Sequence, residues 1–383
     1  MTTRMNLENK IALIGGFRSF GGSIIWPFIG FALYNVYEFP LSFISIFYLI
    51  QAIVTILASI SGGIITDYLG RKKTIVISTI SSSMVLLLAY LINAPLVVSS
   101  VVLIQTFFNT LYNVSSTTIV GDVYKGKTEL VKAFSRQRVG INAGWAIGPL
   151  VGGFIFTDYG FRTLLLAASV LVLLPLPLIK FLPDFKGEGR LTFNLSRDFL
   201  IFLIPTFLTF TIIGQVGFGL LTYYNSVLHF TEFQVGLLFG VNGLIIVALQ
   251  DLTGRLINKR IGLISVGMII YGIGYFIVSL VTNYYIAILQ MVIITAAEMI
   301  VSPLSQTIAN SLAHQKSRGK QMGLYSMVTG MGRIAGSSLV SELMIYYLYA
   351  PQILWGMISS LGLISSIMYY FFLKKERGLI ASL

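Results

Sequence analysis

The stretch LSFISIFYLIQAIVTILASISGGIITDYLGRKKTIVISTISSSMVLLLAYLI, residues 41–92, decides the fold. An apolar run at 41–66 ends in a short charged segment with Asp67, Arg71, Lys72 and Lys73, and a second apolar run follows at 74–92. Each run reaches about the 20 residues that span a bilayer as a helix, so the pair predicts a transmembrane hairpin with its basic turn in water. Outward from this hairpin the same rhythm repeats. Apolar runs at 11–34, 97–120, 137–157, 161–183, 198–226, 233–252, 261–281, 284–309, 321–346 and 352–373 bring the total to twelve spans. With 56% hydrophobic and 10% charged residues in 383, no length remains for a sizeable soluble domain. The first run follows a short polar segment, is too long for the core of a signal peptide and contains Arg18, so it is expected to stay as a span.

The charges fix an orientation. Of 26 Lys and Arg, 23 fall in the N-terminus, the even-to-odd loops and the C-terminal tail; Arg162 alone is on the opposite side, and Arg18 and Arg333 are inside spans. The positive-inside rule then puts both termini in the cytoplasm of a multi-pass plasma-membrane protein. Read this way the net charge of +12 records topology, and nucleic acid is not an expected partner. The chain has no cysteine and only His229 and His314, which excludes disulfides, thiolate chemistry and a multi-histidine metal centre within one chain. No HExxH, His–carboxylate cluster or phosphate-binding glycine loop is present, so neither an enzyme, a cofactor nor ATP-driven transport is expected.

An internal repeat divides the spans. Gly144–Gly148 (GWAIG) matches Gly332–Gly336 (GRIAG) at an offset of 188, and Arg71 matches Arg260 at 189. Two parallel six-helix halves are expected, 1–183 and 198–383, joined by a cytoplasmic linker at 184–197, with a binding cavity near the bilayer midplane.

Two motifs resemble those of the major facilitator superfamily. Gly63-Ile-Ile-Thr-Asp67-Tyr-Leu-Gly70-Arg71-Lys72-Lys73 fits its GxLaDxxGRK pattern, with Ile65 for leucine, and Gly144-Trp-Ala-Ile-Gly148-Pro149-Leu-Val-Gly152-Gly153 fits GxxxGPxxGG, which is associated with antiporters. Thr295-Ala-Ala-Glu298-Met, followed by Pro303, resembles the tenth span of drug-exporter-like members. The resemblance covers nearly the whole chain and implies a twelve-helix, all-α membrane fold and a monomeric secondary transporter. It points to proton-coupled efflux of small amphipathic or drug-like molecules, with a symporter or uniporter for a sugar, organic acid or other metabolite, or a membrane sensor without transport, as alternatives. It also implies gating by Gly63, Asp67, Gly70 and Arg71, with Asp122 as partner of Arg71, and helix packing at Gly144, Gly148, Pro149, Gly152 and Gly153. Three features depart from the family pattern: the fourth span carries Gln105 and no arginine, the second half lacks an intact loop motif, and Ser337 replaces the counterpart of Pro149.

Polar residues inside spans are costly in lipid and should face protein or water. Gln105, Asn109, Asn113 and Ser116 follow one another at helical spacing, as do Thr295, Glu298, Ser302 and Ser305. Arg18, Gln105, Asn109, Asn113, Gln215 and Glu298 are the candidate cavity residues. Trp26, Tyr112, Tyr223 and Tyr224 either wall that cavity or pack. Arg18 lies about 12 Å beyond Lys10 at 1.5 Å per residue, and either snorkels to the cytoplasmic surface or touches substrate. Glu298 and Arg333 lie roughly 18–20 Å from their cytoplasmic ends, so they form either a structural ion pair or a coupling site for protons or another ion.

Overall fold

The computed structural model describes residues 7–123, 127–184, 196–257, 260–312 and 318–375. Most of the expected linker at 184–197 lies outside them. Among the described residues, ten segments are long and apolar enough to cross a membrane. One of these, Arg136–Ile179, is two spans in sequence: Lys127–Leu171 is helical throughout except at Gly160, whose φ of 77° reverses the chain. Another helix, Arg318–Tyr347, has the length but a more polar composition, because serines, glycines, Arg333 and Glu342 interrupt it. The twelve helices are α1 (Leu7–Asn35), α2 (Leu41–Leu69), α3 (Arg71–Ile92), α4 (Pro95–Val123), α5 (127–159), α6 (161–179), α7 (Arg197–Ser226), α8 (Glu232–Ile257), α9 (Leu263–Leu280), α10 (Tyr284–Leu312), α11 (Arg318–Tyr347) and α12 (Pro351–Lys375). The chain has the all-α twelve-helix fold.

Four helices differ from the sequence reading, two at a boundary and two by an internal break. Helix α5 starts ten residues before the apolar run at 137, because its first turns, KTELVKAFSR, form helix without being apolar. Helix α6 loses regularity after Leu171, and Pro175 and Pro177 leave a single short turn at Leu176–Ile179 in place of a continuous span to 183. Helices α1 and α7 are each broken: a 3-10 turn at Trp26–Phe28 holds Pro27, and another at Gly214–Val216 precedes Gly217. The freed backbone groups are taken up by tighter bonds, Phe28 N–H to Ile25 O at 3.0 Å and Gly217 N–H to Gly214 O at 3.3 Å. In lipid an unpaired peptide group costs several kcal/mol, roughly, so a break is tolerated only with such a replacement.

The chain divides into two compact units: Met1–Phe39 with Ile50–Leu191 and Thr231–Gly243, and Pro40–Leu49 with Thr192–Phe230 and Leu244–Leu383. Two short segments therefore belong to the unit opposite the rest of their helices. In the second unit the hydroxyls of Ser338 and Ser341 donate to the carbonyls of Ser45 and Leu41 at 2.8 and 2.7 Å. In the first, a Cβ on Gly236 would come within 2.6 Å of Pro149 O, and one on Gly153 within 2.6 Å of Glu232 O.

Each unit is built around a seam where glycines bring two backbones into contact. Along α5, Gly140, Gly144, Gly148 and Gly152 recur every four residues on one face, where a Cβ would collide with Ala12 O, Gly16 O, Ser23 Oγ and Ile24 O of α1. Their bare Cα atoms admit a second backbone at contact distance, and Ser19 Oγ and Ser23 Oγ donate across the seam to Ile141 O and Gly144 O at 2.9 and 3.1 Å. Helices α7 and α11 repeat this arrangement. Gly332 and Gly336 face Phe207 O and Thr211 O, and Gln215 Nε2 donates to Gly336 O at 3.0 Å. The two glycine pairs that revealed the repeat in sequence thus do the same mechanical work in each unit.

Replacing Gly152 by valine forces α1 and α5 apart, and overpacking of this kind costs typically about 1–3 kcal/mol. Gly63→Ala is the control, since a Cβ there meets nothing within 4 Å. In detergent-purified protein the first variant is expected to melt at lower temperature and the second to melt as the parent does.

Candidate functional site

The first unit holds two buried arginines with opposite surroundings. Arg71 opens α3 after Gly70, whose φ of 97° allows the turn out of α2. Its NH1 donates to Asp67 Oδ1 at 2.6 Å and to Thr66 O at 3.2 Å, and its Nε donates to Asp122 Oδ2 on α4 at 2.8 Å. Arg71 is 5% exposed, so both carboxylates hold it where hydration is poor. All these groups lie in one unit: the cluster ties the end of α2 to α4 and to the start of α3. The sequence reading missed Asp184, whose carboxylate accepts from Lys72 N–H at 3.1 Å and lies within 2.9 Å of where a Cβ on Gly70 would sit. A carboxylate at a helix N-terminus meets unpaired N–H groups and the positive end of the helix dipole. Its only sequence signal is an aspartate just beyond the sixth span.

Arg18 has no such carboxylates. It neither snorkels nor lies exposed: at 4% exposure its NH2 donates to Asn109 Oδ1 at 2.9 Å on α4 and to Ser82 Oγ at 3.2 Å on α3, and its guanidinium lies 4.9 Å from the Tyr112 ring centroid. Helix α1 therefore delivers a guanidinium onto the face of α4 that itself carries no arginine. The predicted polar stripe of α4 divides. Gln105 and Asn109 face the interior with Tyr112, and Ser116 Oγ accepts from Gln137 Nε2 on α5 at 2.9 Å, whereas Asn113 is exposed. Four-residue steps overshoot a helical turn by about 40°, so Asn113 is displaced round the helix from the buried Gln105.

In the second unit Gln215 is fully buried in the α7–α11 seam, where Nε2 donates to Thr211 O and Gly336 O, both at 3.0 Å. This candidate braces two helices and presents no amide to an open surface. Arg333 lies with its guanidinium 5.2 Å from the Phe210 ring centroid. Glu298, half-buried on α10, and Arg333 are both within electrostatic reach of Tyr271 and Tyr275 on α9. Those two rings stack at 6.2 Å, Tyr275 stacks on Trp355 of α12 at 6.2 Å, and Tyr223 meets Trp355 edge-on at 5.5 Å. The hydroxyls of Tyr271, Tyr275 and Thr222 and the Trp355 indole nitrogen are buried without a hydrogen-bond partner among the described residues. Tyr224, by contrast, donates to Gln290 Oε1 at 3.0 Å. Of this aromatic group the sequence reading named Tyr223 and Tyr224 but passed over Tyr271, Tyr275 and Trp355. The four-residue spacing of Tyr271 and Tyr275 in an otherwise apolar span was the available signal.

Asp122→Asn leaves Arg71 with one carboxylate. Breaking a fully buried pair costs about 3–5 kcal/mol, and the 26% exposure of Asp122 reduces the expected loss to about 1–2 kcal/mol. Arg71→Leu is expected to cost more, because it leaves Asp67 and Asp122 facing each other without their cation; thermal unfolding of the two variants and their double measures the coupling.

The Major Facilitator Superfamily profile matches residues 11–337. A Na(+), Li(+), K(+)/H(+) antiporter of Planococcus maritimus is 26% identical over 382 residues, covering 86% of this chain and 88% of that protein. The MFS-type transporter YttB of Bacillus subtilis (strain 168), itself uncharacterized, is 25% identical over 359 residues, 88% of each chain. Among solved structures, a POT family transporter in complex with a thioalcohol-conjugated peptide superposes with a TM-score of 0.80 at 15% identity over 96% of both chains. The nucleoside transporter NupG does so with 0.71 at 16% identity, over 97% of this chain and all of that one. At such identities the solved structures speak for the fold alone. With the profile spanning most of the sequence, this chain belongs to the Major Facilitator Superfamily and is a multi-pass membrane transporter, not an enzyme.

Proposed function

We propose that the chain is a proton-coupled antiporter that exports small amphipathic cations by alternating access, with Glu298 as the coupling carboxylate. The observation that carries this reading is the position of Glu298, half-buried in α10 and within electrostatic reach of Tyr271 and Tyr275, which stack on each other and, through Tyr275, on Trp355. An amphipathic cation gains from aromatic faces and from a carboxylate together, and a carboxylate that exchanges a proton for such a cation links the two fluxes. The glycine pattern of α5 and the Planococcus antiporter support exchange. That relative's description also favours a second reading, in which inorganic Na+, Li+ or K+ replaces the organic cation at the same carboxylate.

The proposed working unit is a monomer in the plasma membrane whose two halves, 1–183 and 198–383, move against each other. The Asp67–Arg71–Asp122 cluster gates that motion by setting how α2, α3 and α4 meet.

Proteoliposomes with an internal pH dye test the coupling. Addition of ethidium, or of NaCl, LiCl or KCl under the second reading, is expected to release protons through the parent protein. Glu298→Gln is expected to fold, to lose proton-driven flux and to keep exchange of labelled for unlabelled cation. Full proton-driven flux by Glu298→Gln removes the coupling role. Recovery of stability and transport in Glu298→Gln with Arg333→Met, after losses in each alone, assigns the two residues to a structural pair instead.

The proposed orientation has its own test on this cysteine-free background. A cysteine at Ser196 is expected to react with a membrane-impermeant maleimide only in inverted vesicles, and one at Asn283 only in intact cells; the reverse pattern inverts the topology.

A further inference from the structure

We propose that Arg18 is the fixed positive charge of an anion-binding site inside the first unit. The inference stands on the surroundings of Arg18 and does not depend on proton coupling at Glu298.

A guanidinium has N–H donors on all three nitrogens and no acceptor. In this unit NH2 is satisfied by Ser82 Oγ and Asn109 Oδ1, while Nε and NH1 are buried with no partner among the described residues. Its neighbours supply no negative charge: Ser82 and Asn109 are neutral, and Tyr112 offers a ring face. Arg71, under 10% exposed like Arg18, has two carboxylates. The contrast is physical, because a buried cation without a counter-charge forfeits hydration that neutral dipoles replace only in part. Arg18 stays charged at physiological pH, so deprotonation does not relieve the cost.

One glycine near Arg18 on α1 leaves open space. On the glycine-rich α1, most neighbours of Arg18 are sealed: a Cβ on Gly15 or Gly16 meets α5 within 3.4 Å, and one on Gly21 meets the end of α6 within 2.7 Å. Gly22, one turn beyond Arg18 on the same face, has nothing within 4 Å. A small anion reaching the unused donors would complete the charge pair that the protein leaves open, and the planar fork of arginine suits a carboxylate as well as a halide. The ligand is thus a monovalent anion, supplied either as free halide or as the carboxylate of a transported solute.

Purified protein in a zwitterionic buffer of low ionic strength, with no gradient imposed, separates these sources. Radiolabelled chloride and radiolabelled benzoate are titrated in parallel into the parent, Arg18→Gln and Gly22→Leu. The parent is expected to bind one of them saturably. Arg18→Gln is expected to weaken that binding at least about tenfold, the loss typical of hydrogen bonds to a charged group, and Gly22→Leu to weaken it comparably by filling the approach while keeping the charge. Saturable chloride binding lost in both variants identifies a halide site. Saturable benzoate binding lost in both identifies a site for the carboxylate of a solute. If Arg18→Gln does not fold, Gly22→Leu alone carries the comparison. Absence of saturable binding of either anion to the parent overturns the proposal, and so does binding by Gly22→Leu equal to that of the parent.

Discussion

The contact between α1 and α5 is the constraint on which the first unit depends, and its copy between α7 and α11 serves the second. In lipid the hydrophobic effect does not drive helix against helix, so association comes from close packing and from hydrogen bonds the backbone accepts. Four glycines at spacing four remove every side chain from one face of α5, and the hydroxyls of Ser19 and Ser23 donate into the carbonyls so exposed. Similar bonds recur between α9 and α12, where Ser359 Oγ donates to Gly272 O and Ser366 Oγ to Ser265 O. These serines are therefore fasteners, and their hydroxyls are satisfied by the chain itself.

Against that tight framework the few ionisable residues fall into two kinds. Arg71 is fully engaged, with two carboxylates from α2 and α4 and the carbonyl of Thr66. Arg18 is held by neutral groups, and Glu298 is within electrostatic reach of Tyr271 and Tyr275, whose hydroxyls lack partners among the described residues. A protein that only needed rigid bundles would not retain such groups at this cost. Unfilled hydrogen-bonding capacity beside a charge is what a solute or ion supplies when it binds, and it marks these regions as candidate binding regions.

The fold was legible because its signals are local. Span length, the basic turn at Arg71–Lys73 and the glycine spacing of Gly144 and Gly148 each depend on neighbours in sequence, and they predicted the twelve helices; the pairing of Arg71 with Asp122, 51 residues away, came from the family resemblance. What escaped depends on which face a residue presents. Gln215 reads as a cavity residue until Gly336 is seen to leave room for its amide in the seam, and Asn113 reads as one of a uniform stripe although it is exposed where Gln105 is buried. Arg18 was ambiguous, since a long side chain about 12 Å from the surface reaches either water or a neighbour; Asn109 and Ser82 decide the matter from 91 and 64 residues away. Polar helix without an apolar run, at the start of α5, is invisible to a reading based on apolar length.

Alternating access is the central claim, and counterflow measures it without assuming any coupling ion. Proteoliposomes loaded with excess unlabelled cation, at equal pH and no membrane potential, are diluted into a trace of the same labelled cation, either ethidium or ²²Na⁺. A carrier that exposes one site to each side in turn predicts a transient accumulation of label above its equilibrium level, decaying as the internal pool empties. Saturable binding of the cation with no overshoot in the vesicles would contradict the account and leave a membrane sensor in its place.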